Sequence, residues 1–454
     1  MMARLGQARL ADLPPQVARP TYDRSRSDHT LVHLGPGAFH RAHQAMFTED
    51  ARLAGGGGWS IVGVSLRHGE VQAALRPQDG LYSVEFLAEP PSLRVVGVIT
   101  DVLTAPAEPE RALAALAAPA TSVVTLTVTE AGYCLDGEGR LDLSHPDIRA
   151  DLAGRSTSAP GWIVRGLAER RRANAGPLTV ISCDNLLGNG RRLEDAVMAL
   201  ADRVDTTLPR WIAANATFPA TMVDCIVPAS DPAQRARAAA SMGMADLASV
   251  QREKFAQWVI EDRFAGPRPG WELAGVEIVT DVAGYERLKL HAFNLIHSAL
   301  AYLGLPRGLE YVRQAIADPA LAVFADALVA EEVAPALPDL PVASYWRGVR
   351  QRLANPRLDH RLAQIGQDGS VKLAQRAFPL LIAAARANRT APRLAATVRA
   401  WLDCARRGLV ADAKGERLAA SGYGLAAALD DPRLFPEPFQ RDPAVRALVL
   451  DPVG

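Results

Sequence analysis

Residues 31–45 read LVHLGPGAFHRAHQA. A short apolar run, Leu31–Leu34, meets Gly35-Pro36-Gly37 and then a segment with helical spacing. That is the layout of a dinucleotide-binding turn. Gly35 permits the tight bend, and Gly37 lets backbone approach a pyrophosphate where the next helix begins. Pro36, Ala38 and Phe39 complete the turn and join the two glycines as candidate coenzyme contacts. The third glycine of the usual fingerprint is absent, and an ordinary strand–helix turn would read the same way. Its place after the first strand of a βαβ pattern favours the coenzyme reading.

Working outward, further short β-branched runs follow at Trp59–Leu66, Leu93–Ile99, Ser122–Thr129 and Leu178–Cys183. Ala-rich segments of helical spacing, such as Glu110–Ala117, separate them. Strands alternating with helices predict a largely parallel sheet covered on both faces. After about Asp281 the strand signals nearly vanish, and Tyr285–Leu303, Tyr311–Val333 and Pro392–Arg406 read as helices. The expected fold is an α/β N-terminal Rossmann-type domain over 1–284 with a mainly α-helical C-terminal domain over 285–454.

The second strand of such a domain ends beside the adenosine ribose, where an acid would bind the 2′-hydroxyl. Here Leu66 is followed by Arg67-His68-Gly69-Glu70, so no acid is immediate. Arg67 could accommodate a 2′-phosphate, or belong to a solvated turn. The expected coenzyme is NAD, with NADP possible.

With 454 residues, 49% hydrophobic and 22% charged, the chain has ample material for a core. Fifty basic residues balance fifty acidic ones, so the cationic excess that nucleic acid or anionic lipid demands is missing. Four scattered cysteines fit neither a disulfide scaffold nor a structural zinc site. His33, His40 and His43 lie close in sequence but give a metal no shared focus, so none is expected. The N-terminal segment MMARLGQARLADLPP lacks the apolar core of a signal peptide, and no run is long enough to span a membrane. A cytoplasmic monomer or homodimer acting on a small molecule is expected.

The segment Lys289-Leu-His-Ala-Phe-Asn294-Leu-Ile-His297 places polar groups inside an apolar helical run. At ~100° per residue, Asn294 lies about 140° and His297 about 80° around the helix from Lys289. An amine, an amide and an imidazole on one broad face suit alcohol or carbonyl chemistry: a buried lysine can act as general base, and an amide can stabilise an alkoxide. Pattern alone equally allows three partly exposed helix residues.

Five motifs in order change that balance: LVHLGPGAFHRAHQA, TLTVTEAGY, SCDN, FPATMVD and K-x4-N-x2-H. Together they resemble the polyol-specific long-chain dehydrogenase/reductase family, the group of mannitol dehydrogenases and fructuronate (mannonate) reductases. The resemblance runs from about Val17 to Arg376. It implies a Rossmann-type domain and a helical domain with the active site between them, an NAD(P) coenzyme and no catalytic metal. It gives Lys289 the role of general base, and Asn294 and Asn185 that of holding the developing oxyanion. His297 would position the reacting oxygen and the lysine, Glu130 would connect the lysine to solvent, and Asp224 would contact substrate. Structural alternatives are a helix cap for Asn185, a surface acid for Glu130 and a loop anchor for Asp224.

The family usually reads K-x-R-x-x-N-G-S-H-S, whereas this chain has His291 for the arginine and Leu295-Ile296 for the small pair. Two large apolar side chains there should narrow or reposition what packs beside Asn294. Cys225 stands where an arginine is common, and the C-terminal LVLDPVG ends short of the family, so its last helix is expected to be missing. LPPQVARPTYDRSR, GVSLR, QDGLY and CDNLLGNG look closest to the fructuronate reductases. These must hold a carboxylate, for which Lys372 and Arg376 are candidates, although both also read as surface bases of a helix. The expected reaction is NAD(P)-dependent interconversion of D-mannonate and D-fructuronate. A mannitol or arabinitol dehydrogenase is the enzymatic alternative, and a dinucleotide-binding protein without turnover is the alternative of another class.

Overall fold

The computed structural model describes residues 2–415 and 424–450. Its strands are β1 (His29–Leu34), β2 (Trp59–Ser65), β3 (Tyr82–Leu87), β4 (Ser92–Val96), β5 (Ile99–Thr104), β6 (Thr121–Leu126), β7 (Leu178–Ser182), β8 (Ala216–Thr217), β9 (Thr221–Asp224), β10 (Val250–Glu253), β11 (Gln257–Glu261) and β12 (Glu277–Val279). Six form one sheet in the order β5-β2-β1-β6-β7-β8, with every pairing parallel. Side chains alternate between its two faces. Val32, Val124 and Val180 enter the core beneath helices Pro109–Ala117, Ala159–Ala173 and Asn189–Val204. Their neighbours Leu31, Val123 and Ile181 enter the other core with helix Gln44–Leu53. β6 and β7 are buried at every position, which explains why they read as unbroken apolar and β-branched runs.

The chain works outward from β1 through β2 to β5, then returns to β6 on the other side of β1 and works outward again. The carboxyl ends of β1 and β6 therefore flank the point where strand order reverses, the place where open α/β sheets bind ligands.

Two departures from the sequence expectation concern strands. Leu93–Ile99 is not one strand of the main sheet: β4 pairs antiparallel with β3 in a separate three-stranded sheet, β10-β3-β4, and β5 alone joins the main one. The break is at Gly97, whose N–H donates to Glu49 (3.1 Å) and whose carbonyl accepts from Arg24 (2.7 Å), so side chains take the place of a ladder. Ser122–Thr129 also ends early, at Leu126, for a reason given below. β9, β11 and β12 form a third sheet, β12-β11-β9, which pattern reading did not anticipate.

By contacts the chain divides into two compact units, Met1–Ala283 and Gly284–Gly454. Among the described residues the second carries no strand beyond an isolated Tyr311–Arg361 bridge. Helix Leu295–Gly304 is buried at every position but Leu303, as befits a helix apolar all round at the centre of a helical unit, and it packs on Pro392–Arg406. The Tyr311–Val333 expectation resolves into two helices, Val312–Ala317 and Pro319–Ala327, split at Asp318, which caps the second, and a π-helical stretch Leu328–Val333. The last residues of LVLDPVG, 451–454, lie outside the described residues. No described helix is long and apolar enough to cross a membrane.

Candidate active site

In the first unit the glycine turn sits at the carboxyl end of β1. Gly35 has φ 86°, and a Cβ there would collide with the Thr127 carbonyl, so only glycine fits. Gly37 differs: its φ of −69° is ordinary, and no chain atom outside its immediate neighbours lies nearer to a would-be Cβ than Gly35 O at 3.9 Å. That open side allows a phosphate-bearing ligand to reach the backbone. A cleft of about 350 Å³ opens here, lined by Gly35, Pro36, Gly37, Arg67, Glu70 and Thr127 among others. The coenzyme turn thus fits its expected ligand by shape.

His33 supports the turn from below. Its Nε2 lies 3.2 Å from the Gly35 carbonyl, to which the Thr127 hydroxyl also donates (2.9 Å), and its Nδ1 faces the Thr125 hydroxyl at 2.7 Å. Burial pushes the imidazole down to about 3, so it is neutral; Nε2–H donates to Gly35 and Nδ1 accepts from Thr125. The His40 ring stacks on it at 3.4 Å. Phe39 stacks on His43, away from the residues that line the cleft, and Ala38 begins the short helix Ala38–Ala42. Arg67 pairs with Asp147 at 2.6 Å on the cleft rim, so its charge is shared with an acid that the sequence did not place there.

Among the described residues, the one set of His, Cys and acidic side chains close enough to share a metal ion is Cys134, His145 and Asp147. Burial holds the Cys134 thiol protonated, at about 12, and Asp147 is engaged with Arg67. That chemistry does not suit a metal centre.

Asp184 is the residue that joins two motifs, TLTVTEAGY and SCDN. Buried, with its carboxyl raised above the usual range by that burial, it accepts from the backbone N–H of Val128 (3.2 Å) and Thr129 (2.8 Å) and from the Tyr133 hydroxyl (2.8 Å). These bonds pull the chain off β6 and hold Thr129 at φ 66°, a costly conformation for a β-branched residue. Glu130 follows at once, exposed, in the turn Glu130–Tyr133. Asn185 does not cap the next helix, whose N-cap is Gly188. Asp224 ends β9, buried, opposite Gln257 of β11.

In the second unit, helix Ala283–Lys289 runs into a π-turn, Leu290–Asn294, and then into helix Leu295–Gly304. Leu295 N–H donates to Leu290 O, five residues back. The angles drawn for a continuous α-helix therefore do not hold here: the π-turn winds wider, and five residues carry Asn294 only a little more than one turn from Lys289. Both are buried, as is His297. His297 Nε2 has no hydrogen-bond partner, and its ring meets Phe293 at 4.4 Å and His360 at 5.5 Å. Burial, then His360, Arg376, Arg352 and Lys289, push the His297 imidazole well below its usual range, so it is neutral.

His360, which sequence reading did not single out, joins this group through its ring contact with His297. Its Nδ1 is also buried without a partner, and burial followed by Lys372 lowers the imidazole to about 4. Lys372 and Arg376 lie one turn apart on helix Gly369–Arg376. Lys372 Nζ donates to Ile365 O (3.1 Å). Arg376 Nη1 donates to Asn294 O (3.0 Å) and to Ser298 Oγ (2.9 Å), so it is not simply a surface base. Leu295 and Ile296 are wholly buried.

Residues 29–273 match the mannitol dehydrogenase Rossmann domain, and residues 281–420 the mannitol dehydrogenase C-terminal domain. The chain belongs to the mannitol dehydrogenase family. It is 42% identical over 372 residues to the D-mannonate oxidoreductase of Escherichia coli (strain K12), covering 79% of this chain and 76% of that one. To a mannitol 2-dehydrogenase of Phaeosphaeria nodorum it is 38% identical over 398 residues, 85% of this chain and 70% of that one. The structure of Pseudomonas fluorescens mannitol 2-dehydrogenase with NAD and D-mannitol superposes with a TM-score of 0.88, at 32% identity, over 98% of this chain and 95% of that one. The chain is therefore an oxidoreductase of this family, a polyol or sugar-acid dehydrogenase.

Within this mannitol dehydrogenase fold, each unit gathers its own share of the expected residues. The first brings Gly35, Pro36, Gly37 and Arg67 to one cleft and ties Thr129, which precedes Glu130, to Asp184, the neighbour of Asn185. The second groups Lys289, Asn294, His297 and Arg376, with Lys372 close to His360. His360 gave no signal because it lies in an irregular stretch before QDGSVKLAQR, where no periodicity assigns a face.

Proposed function

We propose that this dehydrogenase interconverts D-mannonate and D-fructuronate with NAD as coenzyme. The observation that carries this reading is the placing of arginines about the π-turn that ends at Asn294: Arg376 donates to Asn294 O (3.0 Å) and Ser298 Oγ (2.9 Å), and Arg352 lies over the Phe293 ring (4.6 Å). Such a setting favours a substrate that brings a negative charge, and an aldonate does while a hexitol does not. Of the two residues expected to hold its carboxylate, Arg376 is engaged with Asn294 O and Ser298 Oγ, which gives that contact to Lys372, and the likeness to the D-mannonate oxidoreductase supports an aldonate.

In the oxidation, Lys289 as free amine takes the proton of the substrate's secondary hydroxyl. The amides of Asn294 and Asn185 donate to the oxygen as negative charge builds there. His297, neutral and with Nε2 unpartnered, hydrogen-bonds the same oxygen and fixes its distance from the lysine. Bound nicotinamide supplies the hydride acceptor. The carbon loses a hydride, the oxygen loses a proton to Lys289, and a ketone forms. Glu130, exposed beside the strained Thr129, relays the proton towards solvent. Asp224 contacts a substrate hydroxyl. Gly37, with its open side, would hold the pyrophosphate of the coenzyme, and Arg67, paired with Asp147, is the residue that would serve its ribose.

A second reading, a neutral polyol dehydrogenase, is favoured by the near full-length likeness to the D-mannitol complex. Initial rates of nicotinamide reduction with D-mannonate, D-altronate, D-mannitol and D-arabinitol, each with NAD and NADP, decide between them. Preference for an aldonate supports the proposal. Preference for a polyol overturns the carboxylate argument and leaves the lysine chemistry standing.

A further inference from the structure

We infer that Arg376 and His291 form a latch whose task is to hold the π-turn and so aim the Asn294 amide. The geometry is reciprocal. The Arg376 guanidinium donates to the Asn294 carbonyl (3.0 Å) and the Ser298 hydroxyl (2.9 Å), while the His291 ring, through Nδ1–H, donates to the Arg376 carbonyl (3.0 Å). Burial lowers the His291 imidazole, which keeps it neutral, and the carbonyl fixes its proton on Nδ1. One residue at the end of helix Gly369–Arg376 thus receives a bond from inside the π-turn and returns two bonds at its exit.

A π-turn needs such support. Its i→i+5 bonding is rarer and less favourable than α-helix, and it persists where the surroundings over-determine it. Asn294 is the last residue of the turn, so relaxation to α-helix would rotate its amide further around the helix from Lys289. His291, a departure from the family pattern, acquires a reason: an imidazole at this position supplies an N–H to Arg376 O.

The latch rests on the oxyanion role proposed for Asn294, and the test separates the two. Arg376→Met is expected to lower kcat about 10–100-fold, with KM for the best substrate and NAD affinity changed less than about 3-fold, because misaiming a group by ~1 Å costs that much. Arg376→Lys, which keeps one donor, restores most of the loss. His291→Phe lowers kcat several-fold, and His291→Asn restores it, since the Asn amide N–H stands where Nδ1–H does. In an Asn294→Ala background, already slowed ~10²–10³-fold, Arg376→Met should cost less than about 3-fold more. Should Arg376→Met fail to fold, the His291 pair in both backgrounds carries the same cycle. Additive losses in the cycle overturn the latch while leaving the oxyanion role intact. A rise in KM for aldonates alone, with kcat unchanged, also overturns it and makes Arg376 a carboxylate ligand. An Asn294→Ala enzyme with undiminished kcat overturns both the oxyanion role and the latch.

Discussion

Replacing Gly37 and Gly35 by alanine, one at a time, separates the two tasks of the glycine turn. Gly37 has φ −69° and ψ −170°, extended backbone that alanine adopts freely, and the chain leaves its Cβ direction open to 3.9 Å. Gly37→Ala should therefore fold normally, with stability unchanged or higher by about 0.4–1 kcal/mol from the stiffer unfolded chain. In the proposed coenzyme site the new methyl would stand where the phosphates meet backbone. Losing one or two charge-assisted hydrogen bonds at ~1.5–3 kcal/mol each raises Kd for NADH about 10–100-fold at least. Gly35→Ala meets the opposite fate. A left-handed alanine costs about 1–2 kcal/mol, and pushing the Thr127 backbone aside adds about 1–3 kcal/mol. At ~2–4 °C per kcal/mol, Tm should fall by about 5–15 °C. Thermal unfolding and NADH fluorescence titration read both variants. If Gly37→Ala bound NADH like the unaltered enzyme, or lost as much Tm as Gly35→Ala, the assignment of the open side to the coenzyme would be wrong.

Three further outcomes are expected. Lys289→Ala should lose about 10²–10⁴-fold in kcat while NADH titration shows coenzyme affinity unchanged; retained turnover removes the lysine from the chemistry. Asp184→Ala strips the loop of three bonds and should cost about 2–4 kcal/mol in urea unfolding, part of it recovered by adding Thr129→Gly, which relieves the strain at φ 66°. His33 and His360 are lowered to about 3 and about 4, so each contributes stability that is present above pH ~6.5 and is lost as pH falls towards those values. Between pH 7 and pH 5 each should cost about 2 kcal/mol, and His360→Asn should shrink the drop in unfolding free energy by that amount. An unchanged pH dependence in the variant would place His360 outside the buried cluster.

Four strands of the main sheet, β1, β2, β6 and β7, were legible because they are largely buried, and such strands announce themselves as unbroken β-branched runs, whereas β5 was merged with β4 and the two-residue β8 left no pattern. The small sheets were not legible. β9 and β12 are three or four residues long, too short for a period to register, and β4 continues into β5 without a polar interruption. Gly97 ends β4 through bonds from Glu49 and Arg24, residues 48 and 73 positions away, which no local pattern carries. The site divides along the same line. Gly35, Lys289, Asn294 and His297 could be proposed from the sequence because they stand in local motifs, whereas His360 and the carboxylate of Asp184 meet partners distant in sequence.

The spacing between Lys289 and Asn294 shows what a motif can encode without displaying it. Read as α-helix, positions five apart diverge by about 140°, and an amine and an amide so placed address different atoms. The wider π-turn lessens the conflict, because five residues then make only a little more than one turn. K-x4-N is thus a statement about a non-standard turn, and it carries a requirement: something outside the helix must make that turn the better choice. Leu295 and Ile296, both wholly buried, anchor the exit of the turn by packing. Packing fixes where a helix lies more firmly than how it winds, since apolar contact is not directional. Winding is set by hydrogen bonds, and at the π-turn those from outside come from Arg376 and return from His291. The chemistry at Asn294 therefore depends on a helix some eighty residues further along the chain, which is why three side chains with catalytic character did not by themselves make a site.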